Sequence, residues 1–433
     1  MDYAVRVSHY LDPVTFELQR DVILLISGVN VAEVIVGGEV SGGLDGLAAH
    51  TLDLGDAVCL PGFVNAHAHL DLSHLHRQVP RGLAFTDWAR AIIAGRQVPA
   101  PIIHAGIDDA CRMAAATGTT AIIDISVGGM SAGALARHGL RGVVALEVLQ
   151  WDPAQAEAQM RAADEVVRRR FQLESDRLGA DAGGATAPAT LAGVDFGYSP
   201  HAPYTTSREL YQLAYGRAYG EGRVMTTHVS ETPAELDFVR SATGQIADLM
   251  RQFGAWPGFA GHGTTPIELL LGDWLSPWLG ESGPRLVLVH CNYPSGNDRD
   301  LIAAIRPTIC WCPRSHAYFG HQPWPLYQYL ETGANLVLGT DSLASNDGLD
   351  MWGEMQFAVQ AHPDVSRTQL LRMATVNGRA ILDLADGAAD LAIWDLPTGG
   401  EGLELEKLLN LFVGNHPRLL AAFSQGNLIA RAI

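Results

Sequence analysis

The sequence predicts an α/β fold: an eight-stranded parallel (β/α)8 TIM barrel carrying a small β-sandwich built from both chain termini. Three observations lead there. Short apolar strand patterns alternate with amphipathic helical ones from about residue 58 to 382. Eight such strand patterns occur, and runs such as RLVLV and NLVLG are apolar on both faces, as buried parallel strands are. Outside that stretch the texture changes to short strands with turns.

Residues 1–57 hold the first of these short strands, as in LLISGVNVAEVIVGGEV. The barrel strands are then expected at VCLPGFVNAHAH (58–69), TTAIIDIS (119–126), GVVALEVL (142–149) and GVDFGYSPHAP (193–203). The second four are RVMTTHVSE (223–231), RLVLVHCNY (285–293), TICWCPRS (308–315) and NLVLGTDSLAS (335–345). Between them lie helix candidates, among them 154–175 and 208–222. The Gly/Ala-rich stretch 179–193 reads as a flexible loop. Residues 264–284 show no clear period. Residues 383–433 return to strand with AADLAIWDLP, so the expected units are 1–57, 58–382 and 383–433.

Composition narrows the function. The formal net charge of −18 argues against nucleic acid and anionic membrane as partners. No apolar run approaches the roughly 20 residues of a membrane span, and MDYAVRVSHYLDPVT lacks the regions of a signal peptide. Five cysteines in apolar, strand-like contexts suit a reducing cytoplasm better than a disulfide framework. Cys310 and Cys312 form C-W-C, which is neither a zinc knuckle nor a redox pair. A homo-oligomer stays open.

The chemistry starts at PGFVNAHAHLDLSHL (61–75). His67 and His69 stand two apart, on the same face of a strand. Two buried imidazoles need a partner that offsets their desolvation, and a metal ion is the usual one. In a parallel barrel the reacting groups sit at the C-terminal strand ends. His67 and His69 end the first strand, His201 the fourth, His228 and Glu231 the fifth, His290 the sixth and Asp341 the eighth. Chance placement of 16 histidines would scatter them over helices, loops and strand starts.

These motifs together resemble the amidohydrolase superfamily. PGFVNAHAH looks like its strand-one H-x-H, HVSETPAE the strand-five H-x-x-E of its aromatic deaminases, LVHCNY its strand-six histidine and LGTDSLASN its strand-eight aspartate. ATVNGRAIL and ADLAIWD resemble the helix and returning strand that follow. The resemblance implies metal ligands at His67, His69, His228 and Asp341, a proton shuttle at Glu231 and an orienting role at His290. Three imidazoles and one carboxylate leave a coordination position open for water. A metal there lowers that water's pKa toward about 7, supplying hydroxide for attack on the substrate. Zinc is expected, and Fe2+ or Mn2+ suits the same donors.

Many members hold two metals through a carboxylated lysine on strand four. Lys407 is the only lysine here and lies near the C-terminus, so one metal is expected. Glu147, ending strand three, is either a bridging ligand that would reopen a second site or a pocket or structural carboxylate.

FGYSPHAPYT (196–205) resembles the strand-four segment of purine deaminases, which makes His201 a substrate contact. HLDLSHL with GLAFTDWARAIIAGR (82–96) resembles aminodeoxyfutalosine deaminases, which implies Trp88 and Arg96 on an active-site helix. Their alternatives are a core Trp and a surface Arg. CWCPRSHAYFGH (310–321) resembles the strand-seven loop of the same group, which commonly carries Asn where this chain has His316. Arg314 either binds a polar group of the ligand or forms a structural ion pair. His74 and His76 belong to the pocket rim or the surface, and His321 has no assigned role. The expectation is a mononuclear hydrolase that deaminates a 6-aminopurine nucleoside, aminodeoxyfutalosine first. The alternatives are dechlorination or amide hydrolysis at the same site and, remotely, a catalytically silent scaffold.

Overall fold

The computed structural model describes residues 1–37, 43–44, 46–181 (171–181 as backbone), 191, 193–255, 258–279, 285–396 and 404–431. The N-terminal strands are β1 (Tyr3–Leu11), β2 (Leu18–Ser27), β3 (Asn30–Val36), β4 (His50–Asp53) and β5 (Ala57–Pro61). Eight parallel strands follow, hydrogen-bonded in sequence order: β6 (Phe63–Ala68), β7 (Thr119–Ser126), β8 (Arg141–Val148) and β9 (Val194–Pro200), then β10 (Met225–Val229), β11 (Leu286–His290), β12 (Thr308–Trp311) and β13 (Asn335–Leu338). The C-terminal strands are β14 (Leu391–Asp395), β15 (Leu419–Ser424) and β16 (Asn427–Arg431). β14 pairs antiparallel with β5, which joins both termini into one branched mixed sheet.

The barrel closes between its first and last strands. The Thr340 and Asp341 amides donate to the His67 carbonyl at 3.0 and 2.9 Å. The Asn65 side chain bonds Thr340 twice more, accepting from its N–H and donating to its Oγ1. Gly339 permits this approach, since a Cβ there would lie 2.8 Å from His67 Cβ and 2.9 Å from Cys310 Sγ. The barrel is filled by Ala66, Ile123, Val143, Val287, Val289 and Cys310. All five cysteines are buried and free, and Cys310 and Cys312 are core residues of this interior.

Several elements differ from the sequence expectation. The run 58–69 is two strands in two sheets. At Gly62 the backbone changes partner, from Asp390 in the terminal sheet to Gly118 at the start of β7, so residues 57–61 belong to the terminal sheet. The seventh run ends at Trp311, because Pro313 opens a helix over Pro313–Tyr318. The eighth strand stops at Leu338. Residues 264–279 contain a π-helical turn, Glu268–Trp274. The helix ahead of β9 extends over Ala156–Asp181, and the rest of the expected loop to residue 193 lies mostly outside the described residues. Among the described residues no helix is long and apolar enough to cross a membrane.

Candidate active site

The strand ends bring His67, His69 and His228 together, with ligand atoms all within 4.8 Å of one another. All three are buried. His69 Nε2 lies 3.2 Å from His228 Nε2, and the two rings stack at 12°. This contact is not an ordinary hydrogen bond. His228 Nδ1 sits 2.9 Å from the His201 carbonyl, which can only accept, so the proton is on Nδ1 and Nε2 presents a lone pair. Two nitrogens at tetrahedral positions around one zinc-sized ion would stand about 3.3 Å apart. Both nitrogens of His67 and Nδ1 of His69 are buried without a hydrogen-bond partner. A cation at the converging Nε2 atoms would take the lone pair of His67 Nε2, whose burial without a partner is otherwise costly.

Asp341 stands beside the three histidines. Its Oδ1 lies 3.7 Å from Nε2 of both His67 and His69. Its Oδ2 accepts from Ser315 Oγ at 2.6 Å and Ser345 Oγ at 3.1 Å, which fixes the carboxylate and turns the other oxygen toward the histidines. Asp341, His290 and Ser230 all take left-handed backbone, with φ of 59°, 73° and 54°. Strain of this kind at three strand ends marks places where side-chain aim outweighs backbone comfort.

Glu231 and His290 stand beside this cluster. His290 Nε2 is 3.6 Å from Glu231 Oε1, and the His290 ring centroid is 5.6 Å from that of His228. Burial, together with the Asp341 and Glu235 carboxylates, pushes the Glu231 carboxyl well above its usual range. A carboxyl held protonated can donate as well as accept, which suits a proton carrier.

One cavity of about 770 Å³ opens onto these residues. Trp88, Ile92 and Arg96 line one wall, and Ile246, Met250 and Phe253 face them from the helix Gly244–Gln252 and its end. Most of the lining is apolar, as in sites for flat organic ligands. His201 and Glu147 supply polar groups deeper in. Burial and Arg96 bring His201 down to about 4, so its ring is neutral. Its Nδ1 pairs with Thr205 Oγ1 at 2.7 Å, leaving Nε2 for a ligand. Burial raises Glu147 to about 7, against the pull of Arg96.

Trp88 and Arg96 both reach the cavity. Trp88 donates Nε1 to the Ala344 carbonyl at 3.3 Å. Arg96 donates to the fully buried Asp71 at 2.7 Å. Glu147 lines the cavity but is not part of the metal cluster, which among the described residues comprises the three histidines alone. Arg314 is a correction: it does not line the cavity. Its guanidinium is spent on Glu354 at 2.7 Å, Asp350 at 3.0 Å and the Gly348 and Asp350 carbonyls, so it braces the strand-seven and strand-eight loops.

The remaining histidines stand clear of the metal cluster. Both His74 nitrogens meet carbonyls, of Asp71 and Gly95, and His76 meets the Asp347 carbonyl at the surface. His316 packs between Asn292 Oδ1 and the Gln322 carbonyl, and His321 pairs with the Tyr293 hydroxyl. Sequence reasoning missed Asp71, Ser315, Ser345 and Asp124. Asp124 accepts from the Leu70 amide at 2.7 Å and so anchors the chain just past His69. Only long-range pairing reveals these roles. The second cavity wall, 244–252, was also missed, although its apolar spacing was readable.

Residues 58–427 match the model of the amidohydrolase family. The chain is 31% identical over 340 residues to an aminodeoxyfutalosine deaminase of Deinococcus radiodurans, spanning 75% of this chain and 73% of that one. It is 30% identical over 376 residues to a 5-methylthioadenosine/S-adenosylhomocysteine deaminase of Thermococcus onnurineus, covering 82% and 78%. Among solved structures it superposes on atrazine chlorohydrolase from Arthrobacter aurescens complexed with zinc, with a TM-score of 0.76, 19% identity and coverage of 99% and 95%. A histidine cluster at the strand ends of a parallel barrel, with this match over most of the length, places the chain in the amidohydrolase family of hydrolases.

Proposed function

We propose that this protein is a mononuclear metal-dependent deaminase of a 6-aminopurine nucleoside, with aminodeoxyfutalosine the leading candidate. The observation that carries the reading is Glu231, a buried carboxyl 3.6 Å from His290 Nε2 that lines the same cavity as His69 and His228. The relatives at about 30% identity are named for deamination of adenine nucleosides, which supports the substrate class.

His67, His69, His228 and Asp341 would hold the metal, which when bound supplies a water acidified toward neutral pH. Zinc fits the donors and accompanies the related fold, and Fe2+ or Mn2+ suits the same nitrogen and oxygen set. Glu231 in its protonated form donates to the ring nitrogen beside the amine-bearing carbon. As a carboxylate it would then take the remaining proton from the added hydroxyl and pass it to the departing amine, which leaves as ammonia. His290, with Nε2 3.6 Å from Glu231 Oε1, would orient the water or the substrate. Asp341, its Oδ2 already occupied by two serines, would bind the metal through Oδ1 and accept a hydrogen bond from the attacking water. His201 offers Nε2 to the base, while Trp88 and the apolar wall exclude solvent from it.

Two measurements test the reading. Purified protein is expected to carry about one transition metal per chain by plasma emission; two tightly held metals would refute the mononuclear assignment. Aminodeoxyfutalosine, methylthioadenosine and 5′-deoxyadenosine are each to be assayed for ammonia release, and turnover of at least one is expected. Turnover of a chlorotriazine or an acyl amide with none of any aminopurine would reassign the site to the second reading, a chlorohydrolase or amide hydrolase.

A further inference from the structure

We infer that Glu235 is a positioning residue for the proton shuttle. The inference rests on the role given to Glu231 above. Glu235 is fully buried, and its two oxygens are spent on the backbone just ahead of it. Oε2 accepts from the Glu231 amide at 2.7 Å, and Oε1 accepts from the Ser230 amide at 3.0 Å.

Ser230 is the residue in left-handed backbone, with φ of 54°, through which the chain turns from β10 to aim Glu231 into the cavity. The other side of the Glu231 peptide is held as well: Asn292 Nδ2 donates to the Glu231 carbonyl at 2.9 Å, and the Asn292 amide donates to the Ser230 carbonyl at 2.8 Å. The strained turn is thus pinned from both faces, and Glu235 supplies two of the four bonds.

Thr232 and Glu235 also form a helix cap, since Thr232 Oγ1 accepts from the Glu235 amide at 3.2 Å. In an ordinary capping box the glutamate returns to the cap residue's own N–H. Here the Glu235 carboxyl, besides interacting with the Thr232 amide, reaches further back, to the shuttle and the residue before it. That shift ties helix initiation to the placement of a reacting carboxyl, which must sit within about 3 Å of its proton partners.

Glu235→Gln removes one acceptor and sets an amide N–H against a backbone N–H. It is expected to lower kcat by roughly 10- to 100-fold, the scale of a 1 Å misplacement, with KM and metal content near wild type. Thr232→Ala removes the cap but leaves the Glu235 carboxylate. It is expected to lower the melting temperature with kcat near wild type. Glu235→Asp, which keeps the charge on a shorter stem, is expected to recover part of the lost kcat.

If Glu235→Gln and Thr232→Ala lose stability alike and both keep kcat, Glu235 is only a helix cap and the inference falls. It falls equally if Glu235→Gln does not fold and Glu235→Asp folds with full kcat and full metal. Glu231→Gln, measured alongside, separates the two claims. Loss of kcat there with none in Glu235→Gln overturns the positioning role alone, whereas no loss in Glu231→Gln overturns the shuttle itself.

Discussion

Glu231→Gln is expected to lower kcat by about 10²–10⁴-fold while the metal content stays at the wild-type value. That range corresponds to about 3–5 kcal/mol of barrier. Glutamine keeps the length of the side chain and its ability to donate and accept, but it cannot take up or release a proton near neutral pH. The three histidines and Asp341 are untouched. Glu231 lies beside the cluster, 3.6 Å from His290 Nε2, and the cavity keeps its shape. Substrate affinity therefore changes little, because the lost work belongs to the proton transfers in the transition state. The raised pKa of the wild-type carboxyl sharpens the contrast. Burial and the neighbouring Asp341 and Glu235 carboxylates favour its protonated form, which glutamine imitates in shape but not in proton release. Turnover near the wild-type value, with full metal, would make Glu231 structural and remove the basis of the deamination mechanism.

The barrel and the reacting residues were legible in the sequence for different reasons. Strand patterns such as RLVLV are written locally, because a strand buried on both faces needs apolar side chains throughout. The site was legible because chemistry restricts residue type: only certain side chains bind metal or carry protons, and they must stand at strand ends. What was not legible depends on pairing across the chain. Nothing in PGFVNAHAH says that residues 57–61 leave the barrel, since the change of partner at Gly62 is made by Asp390 and Gly118. Arg314 looked like a ligand contact because an arginine beside a site motif is ambiguous. Its acceptors, Glu354 and Asp350, lie on a helix and its cap, 40 and 36 residues further along the chain. Ser315 and Ser345 are ordinary residues in sequence, and their value comes only from meeting Asp341 Oδ2 in space.

His228→Ala is expected to lose metal and activity together, with residual turnover below that of Glu231→Gln. The alanine removes a ligand from a site whose geometry is set for all four donors; losing even a residue that only orients a ligand typically costs about 10–100-fold in metal affinity, and losing the ligand itself costs more. His228 is the sharpest test because its ring has two duties. Nε2 converges with His69 Nε2 at 3.2 Å, while Nδ1 donates to the His201 carbonyl at 2.9 Å and so fixes the ring. Removing the ring takes one bond from the His201 carbonyl, which keeps the His228 amide as a donor, a cost of about 0.5–1.5 kcal/mol in stability. A fall in activity alone would thus confuse metal loss with loosened packing. Melting temperature measured with and without added metal separates them. Wild-type protein should be stabilised by metal, since an ion that binds only the folded chain raises its stability by mass action. His228→Ala should melt at one temperature with or without metal, and plasma emission should find its metal far below one per chain. A variant that kept stoichiometric metal and the metal-dependent rise in melting temperature would strike His228 from the ligand set, and with it the three-histidine centre around which the mechanism is built.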